Sequence, residues 1–265
     1  MNARDAYAYQ GLAEMYLAWA KRTIDDDERA SYLAKSEEVI SQGLKEVRDK
    51  DGLWIVSSEV EEFVGNDPKQ LVALERAVRD APASVVARYL LARKYRADGK
   101  PANAIAVLES VVQSYPEEFR SYREYALALL QTGEPLLRAI NTLRLSSLYG
   151  MSDPRYLATL GGLYYLDKQF GEAEKIFSEG LRKELPARDL QIVRFRPGLE
   201  GLANRVTGTV GQVSAGYSFI DVPGFPRILC PASKYGGVVL RSGMRVDFDL
   251  TFSAKSAVAE SPVLV

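Results

Sequence analysis

The sequence contains no histidine and only one cysteine among its 265 residues. Without histidine there is no Ser–His–Asp or Cys–His site, no imidazole general base and no imidazole metal ligand. A single cysteine, Cys230, allows neither an internal disulfide nor a multi-cysteine zinc site, so the thiol count does not point to an oxidising compartment. An excess of either charge is lacking as well. Thirty-four basic residues stand against 35 acidic ones, net −1, unlike a chain that binds nucleic acid over its whole surface. There is no run of about 18 or more apolar residues and no basic-then-apolar leader, so neither a membrane span nor a signal peptide is expected, and the expected location is the cytoplasm. Glycine-rich phosphate loops and dinucleotide fingerprints are also missing. An enzyme would need a cofactor or a carboxylate pair that the sequence does not display. The expectation is a non-enzyme with no cofactor and no metal.

What is present is a full complement of core residues, 47% of the chain, and a length that favours two domains. The composition changes near residue 200. Before it Ala, Leu, Glu, Arg and Tyr recur at helical spacing; after it Val, Gly, Ser and Phe alternate over short segments. Arg196-Pro197-Gly198 punctuates the change. The expected division is a helical domain over 1–200 and a β domain over 201–265.

The first part repeats itself. Leu91-Ala92, Tyr95, Gly99, Ala104, Leu108, Val111 and Pro116 are matched by Tyr125-Ala126, Leu129, Gly133, Ala139, Leu143 and Ser146, then by Leu160-Gly161, Tyr164, Lys168, Ala173, Phe177 and Gly180. The anchors Leu91, Tyr125 and Leu160 lie 34 and 35 residues apart, and Pro82 to Pro116 is again 34. Trp54, Gly65 and Ala77 share the phase one repeat earlier. Small residues let two helices approach, large ones fill the space between neighbouring pairs, and a pair alone cannot bury its apolar face. This pattern resembles the tetratricopeptide repeat (TPR), with four repeats over about 51–187 and a looser pair in front, divided by the acidic loop Asp25–Glu28. The first helix starts without a polar capping repeat, so the chain reads as the C-terminal region of a longer protein.

After residue 205 the sequence reads as five short strands: 205–213, 217–222, 228–231, 244–252 and 257–265. Val246, Phe248 and Leu250 alternate with Arg245, Asp247 and Asp249, and five such strands suit a small closed barrel. Gly208-Thr209-Val210, Ala215-Gly216-Tyr217-Ser218-Phe219-Ile220, Ile228–Ser233 and Arg241–Phe248 follow one another as the motifs of the cold-shock domain do. The β part therefore resembles a divergent cold-shock or OB-fold barrel. That resemblance implies a face of exposed aromatics on which bases stack. Here Gly211, Gln212 and Val213 stand where first-strand aromatics belong, and Leu229, Cys230 and Pro231 replace the aromatic and histidine of the second motif. Tyr217 and Phe219 remain, with Lys234 and Arg227 as the nearest basic candidates for nucleic-acid contact. From residue 202 six basic residues face four acidic ones, little for a phosphate track.

The expected fold is an α + β multidomain chain, a TPR-like α-solenoid followed by a small five-stranded cold-shock- or OB-like barrel. The expected function is non-catalytic recognition. A solenoid face with Arg88, Arg93, Arg96 and Lys100, beside Lys94, is the candidate groove for a protein partner or a second copy, and the barrel is an accessory docking unit. RNA or single-stranded nucleic acid at the barrel is the alternative. The resemblance to repeat arrays of large bacterial signalling and defence proteins implies a sensor region. Glu59, Glu61 and Glu62 read as a solvated face, Cys230 as a small buried hydrophobe, and Arg194 and Arg196, flanking Phe195, as residues that dock the helical and β parts.

Overall fold

A computed structural model describes residues 3–182 and 194–265. Its helices come in pairs: α1 (Ala3–Arg22) with α2 (Asp26–Glu46), α3 (Asp51–Val64) with α4 (Asp67–Asp80), α5 (Val85–Ala97) with α6 (Pro101–Ser114), α7 (Phe119–Gln131) with α8 (Leu136–Leu145), and α10 (Pro154–Leu166) with α11 (Phe170–Arg182); α9 (Ser147–Gly150) is a single turn. These are the four expected repeats and the looser pair in front. The last residues assigned to the fourth repeat, 183–187, lie outside the described residues.

Local chemistry sets the ends of these helices. The Asp25 carboxylate accepts the Glu28 N–H at 2.8 Å, and Asp153 accepts those of Arg155 and Tyr156 at 2.8 and 2.9 Å, which satisfies donors a helix start leaves unpaired. Pro82 and Pro116 lie just beyond α4 and α6, where a proline cannot extend a helix. Gly99 and Gly133 turn the chain between paired helices at φ of +70° and +82°, a region that costs a residue with a Cβ about 1–2 kcal/mol. Lys168 takes the same turn at +59°.

The chain divides into two compact units, Met1–Leu108 and Glu109–Val265. In the first, Ala13, Leu17, Ile40, Val56 and Val60 form the core, and the buried Ser36 hydroxyl donates to the Ala13 carbonyl at 3.0 Å. In the second, one continuous core runs from Leu127, Ile140, Leu143 and Tyr156 through Phe177 and Phe195 to Ile220, Phe248 and Phe252. The expected junction at 200/201 falls inside this second unit, where a 3-10 turn at Pro197–Glu200 leads from helices to strands.

The strands are β1 (Arg205–Val213), β2 (Tyr217–Asp221), β3 (Ile228–Pro231), β4 (Arg245–Phe252) and β5 (Ala257–Leu264). They close into a barrel in the order β1-β2-β3-β5-β4. All pairs are antiparallel except β3 with β5. A register shift between Val210 and Val213 bends β1, which pairs with both β2 and β4. Val246, Phe248 and Leu250 of β4 point inward with Ser218 and Ile220 of β2, as the alternation predicts. Closure leaves no free sheet edge.

Candidate functional site

In the first unit α1, α3 and α5, the leading helices of successive pairs, contribute to one groove of about 440 Å³, which α4 also lines. Lys21, Glu59, Glu62 and Arg93 line it, with Leu74, Leu90 and Ala97 supplying apolar surface. Lys21 approaches Glu59 at 3.8 Å and Arg93 approaches Glu62 at 3.5 Å, all four side chains being roughly half exposed. Exposed pairs of this kind contribute about 0–1 kcal/mol, so a ligand's charges can replace either partner at small cost. Lys94 sits behind them, buried, with its ammonium 2.8 Å from Asp67 and 2.7 Å from Asp98. Burial alone would lower its pKa; the hydrogen bonds to Asp67 and Asp98 outweigh burial and raise it.

Of the four basic residues assigned to the groove, only Arg93 lines it. The Arg88 guanidinium donates to the Pro82 carbonyl at 2.7 Å, Lys100 is exposed in the turn before α6, and Arg96 is half-buried outside the lining. The groove is charge-balanced rather than basic. Glu59 and Glu62, read as a solvated face, belong to it, and so does Lys21. Their i, i+3 spacing on α3 marks a shared face, but nothing local shows which face the neighbouring helices leave open.

In the second unit the outward residues of β2 and β3 meet the last helix pair. Tyr217 and Phe219 project from one barrel face, their rings 5.4 Å apart and edge-on. Tyr217 is exposed and Phe219 half-buried. Phe219, Leu229, Pro226 and Arg227 form one wall of a cleft of about 480 Å³; Tyr165, Phe170, Phe177 and Ser178 form the other. The Tyr165 hydroxyl donates to the Pro226 carbonyl at 3.0 Å, and Phe225 packs on Tyr165 and Phe170 at 5.7 and 5.8 Å. Arg227 lies 3.1 Å from Asp221. The structure thus gathers Tyr217, Phe219 and Arg227 on one side of the barrel.

Lys234 is elsewhere. Its ammonium lies 3.1 Å from Glu260, which also receives Arg196 at 3.2 Å and Arg194 at 3.6 Å. Burial, ahead of any other influence, lowers the Arg194 pKa. Cys230 points into the barrel and is fully buried; burial pushes its thiol up to about 11. Among the described residues no group of three or more carboxylates and thiols could hold a metal ion, and no helix is long and apolar enough to cross a membrane.

No protein-family model matches the chain, and no curated protein matches it in sequence. Solved structures do match in fold. PilF of Pseudomonas aeruginosa superposes with a TM-score of 0.57 at 14% identity, over 71% of this chain and 80% of that one. PilW, a widely conserved type IV pilus biogenesis factor, gives 0.54 at 18% identity over 72% and 83%. A thermophilic TPR protein of Thermus thermophilus gives 0.50 at 16% over 68% and 95%. The helical pairs have the tetratricopeptide-repeat fold. At these identities the likeness extends to the fold alone.

Proposed function

We propose that the protein is a non-catalytic recognition and scaffold module whose TPR-type pairs bind an extended segment of a protein partner. The observation that carries this reading is the groove of the first unit. Three successive leading helices present Lys21, Glu59, Glu62 and Arg93 around an apolar floor, the kind of extended surface helical repeats offer to a ligand. Self-association through the same residues is the variant in which the partner is a second copy. Placement in a larger signalling or defence protein rests on the resemblance of the repeat array alone, and the domain division at 200/201 rests on the change from helical to strand composition.

The test is a peptide selection on the full chain followed by titration of the selected peptides against Arg93→Glu and against Glu62→Arg/Arg93→Glu, with light scattering for self-association. Selected peptides should lose about three- to tenfold in affinity with Arg93→Glu and regain part of it in the exchanged pair. Binding and oligomeric state that ignore both variants would overturn the groove.

A second reading has its own observation. The strand order and parallel β3–β5 pair agree with an OB-type barrel, and the strand 2–3 face of such barrels binds oligonucleotides; Tyr217, Phe219 and Arg227 lie on that face. An oligothymidylate titration at low salt with Tyr217→Ala and Phe219→Ala decides it. Absence of binding by the parent protein removes this reading.

A further inference from the structure

We infer that the cleft between the β2–β3 face and α10–α11 is a second recognition site, which takes a large apolar side chain of a partner peptide with an acidic residue beside it. It extends the recognition reading but does not use the groove of the first unit. The cleft, about 480 Å³, is within the range of about 300–1,000 Å³ typical of ligand sites. Its floor is aromatic: Tyr165 and Phe170 pack edge-to-face at 5.2 Å, Phe177 is buried, and Phe219 and Leu229 are half-buried. Apolar side chains inserted into such pockets carry most of the binding energy of peptide interfaces.

Charge sets the rest of the chemistry. On the barrel wall Arg227 is already matched by Asp221 at 3.1 Å. Lys255, half-buried beside Ser256 and Ala257 in the same wall, has no ion-pair partner among the described residues. A carboxylate on the barrel side of the anchor residue therefore meets an ammonium that no described carboxylate pairs. The helix wall carries Glu174 instead, so the acidic residue lies toward the barrel and not toward α11. Nucleic acid fits less well. Single-strand binding needs successive stacking rings and a track of cations, whereas among the described residues Phe219 is the one ring the strands give the cleft and Arg227 and Lys255 are its cations.

The test uses the full chain and three labelled peptides of equal length, glycine-flanked with Phe-Asp, Phe-Lys or Ala-Asp cores. Fluorescence anisotropy gives affinity, and amide NMR shifts of Ser178, Phe219 and Lys255 give location. The Phe-Asp peptide should bind at the cleft and exceed Phe-Lys by about fivefold, the scale of one exposed ion pair. Ala-Asp should bind at least about tenfold more weakly, the scale of a lost anchor. Lys255→Glu should reverse the Asp-over-Lys preference while the thermal melt stays unchanged. Ser178→Trp should block the cleft, and Arg93→Glu should do nothing here. The inference falls if no peptide binds, if Phe-Asp and Phe-Lys bind alike, if Lys255→Glu leaves their order intact, or if the shifts map elsewhere. It falls equally if an oligothymidylate moves the cleft amides and the Phe-Asp peptide does not.

Discussion

The main chains of Phe195 and Phe252 hold each other through two reciprocal hydrogen bonds, N–H to carbonyl at 2.8 and 2.9 Å, and their rings stack 6.0 Å apart. Phe195 lies just before the barrel and Phe252 ends β4. Both rings rest on Gly162 of α10, where an added Cβ would sit 2.7 Å from a carbon of each. On α11 Gly180 allows the same closeness, since a Cβ there would stand 1.9 Å from the Ala254 carbonyl oxygen. Small residues that in a repeat serve helix against helix, as Gly161 does against Phe177, here also admit the barrel. The helices and strands of the second unit consequently share one apolar layer.

That layer predicts opposite effects for two glycine substitutions. Gly162→Ala gains helix propensity but forces the Phe195 and Phe252 rings to move, and overpacking of this kind costs about 1–3 kcal/mol. Gly171→Ala, also on a helix, meets nothing within 4 Å and should stabilise by about 0.4–1 kcal/mol. Urea unfolding of both variants measures the difference. Equal midpoints would show that the rings do not press on α10.

Glu260 predicts a second asymmetry. The carboxylate is buried among Arg194, Arg196 and Lys234. Glu260→Gln keeps its shape but removes the buried carboxylate that the three cations share, and breaking a buried ion pair from one side costs about 3–5 kcal/mol. Arg196→Ala removes a half-exposed partner and should cost under about 1 kcal/mol. If Glu260→Gln unfolds within about 0.5 kcal/mol of the parent, the cluster is not holding the chain before β1 to β5. The pairing also accounts for Lys234, which lies away from the Tyr217 face.

Repeats and strands were legible because their signals are local. The turn glycines and the alternation of β4 need only neighbouring residues, and the 34-residue spacing of Pro82 and Pro116 needs only the order of residues along the chain. Surfaces were not. Arg88, Arg93, Arg96 and Lys100 are clustered in sequence, yet Arg88 stands about 140° round α5 from Arg93, Lys100 lies beyond the end of that helix, and Arg96, which the i, i+3 spacing puts on the Arg93 face, stays outside the lining. The groove instead draws Lys21 and Glu59 from helices far apart in the chain. In the same way Tyr164 fits the repeat phase, while Tyr165, one residue on, faces the barrel and lines the cleft. Only the tertiary pairing of α10 with β4 gives it that position.

Stability should be flat through neutral pH and fall in alkali. No histidine is present to titrate near neutrality. Burial pushes the Tyr156 hydroxyl, which donates to the Leu143 carbonyl, up to about 12. Burial and the neighbouring Glu75 carboxylate push Tyr95 up to about 12 as well. A folded-state pKa above the unfolded value, about 10, stabilises fully below pH 10 and is lost as pH climbs toward 12, because the unfolded chain releases its proton first. At Tyr156 a rise from 10 to about 12 corresponds to about 2–3 kcal/mol. Lys94, raised by Asp67 and Asp98, works in the same direction. Tyr156→Phe should lower stability at pH 7 by about 1 kcal/mol and flatten the decline between pH 10 and 12. A decline as steep as the parent's would mean Tyr156 is not its source.

Cys230 should report unfolding and nothing else. It faces the barrel interior on β3, paired in register with Ser218, and burial pushes its thiol up to about 11. Thiolate is the reactive form, so at pH 8 a disulfide reagent should leave the native protein unmodified for as long as the barrel stays closed. In urea above the unfolding midpoint, one thiol per chain should react rapidly. Between these limits the labelling rate should follow the global unfolding equilibrium, and Gly162→Ala should raise it by the factor its stability loss implies. Fast stoichiometric labelling of the native protein would show that the β2–β3 seam opens without global unfolding. Because the thiol's pKa is raised from its usual 9 to about 11, its contribution is complete below pH 9 and is lost as pH climbs toward 11, a window that begins before that of Tyr156 and overlaps it. Cys230→Ser separates the two: it should remove the part of the decline that sets in near pH 9 and leave the Tyr156 part, which continues toward pH 12, in place.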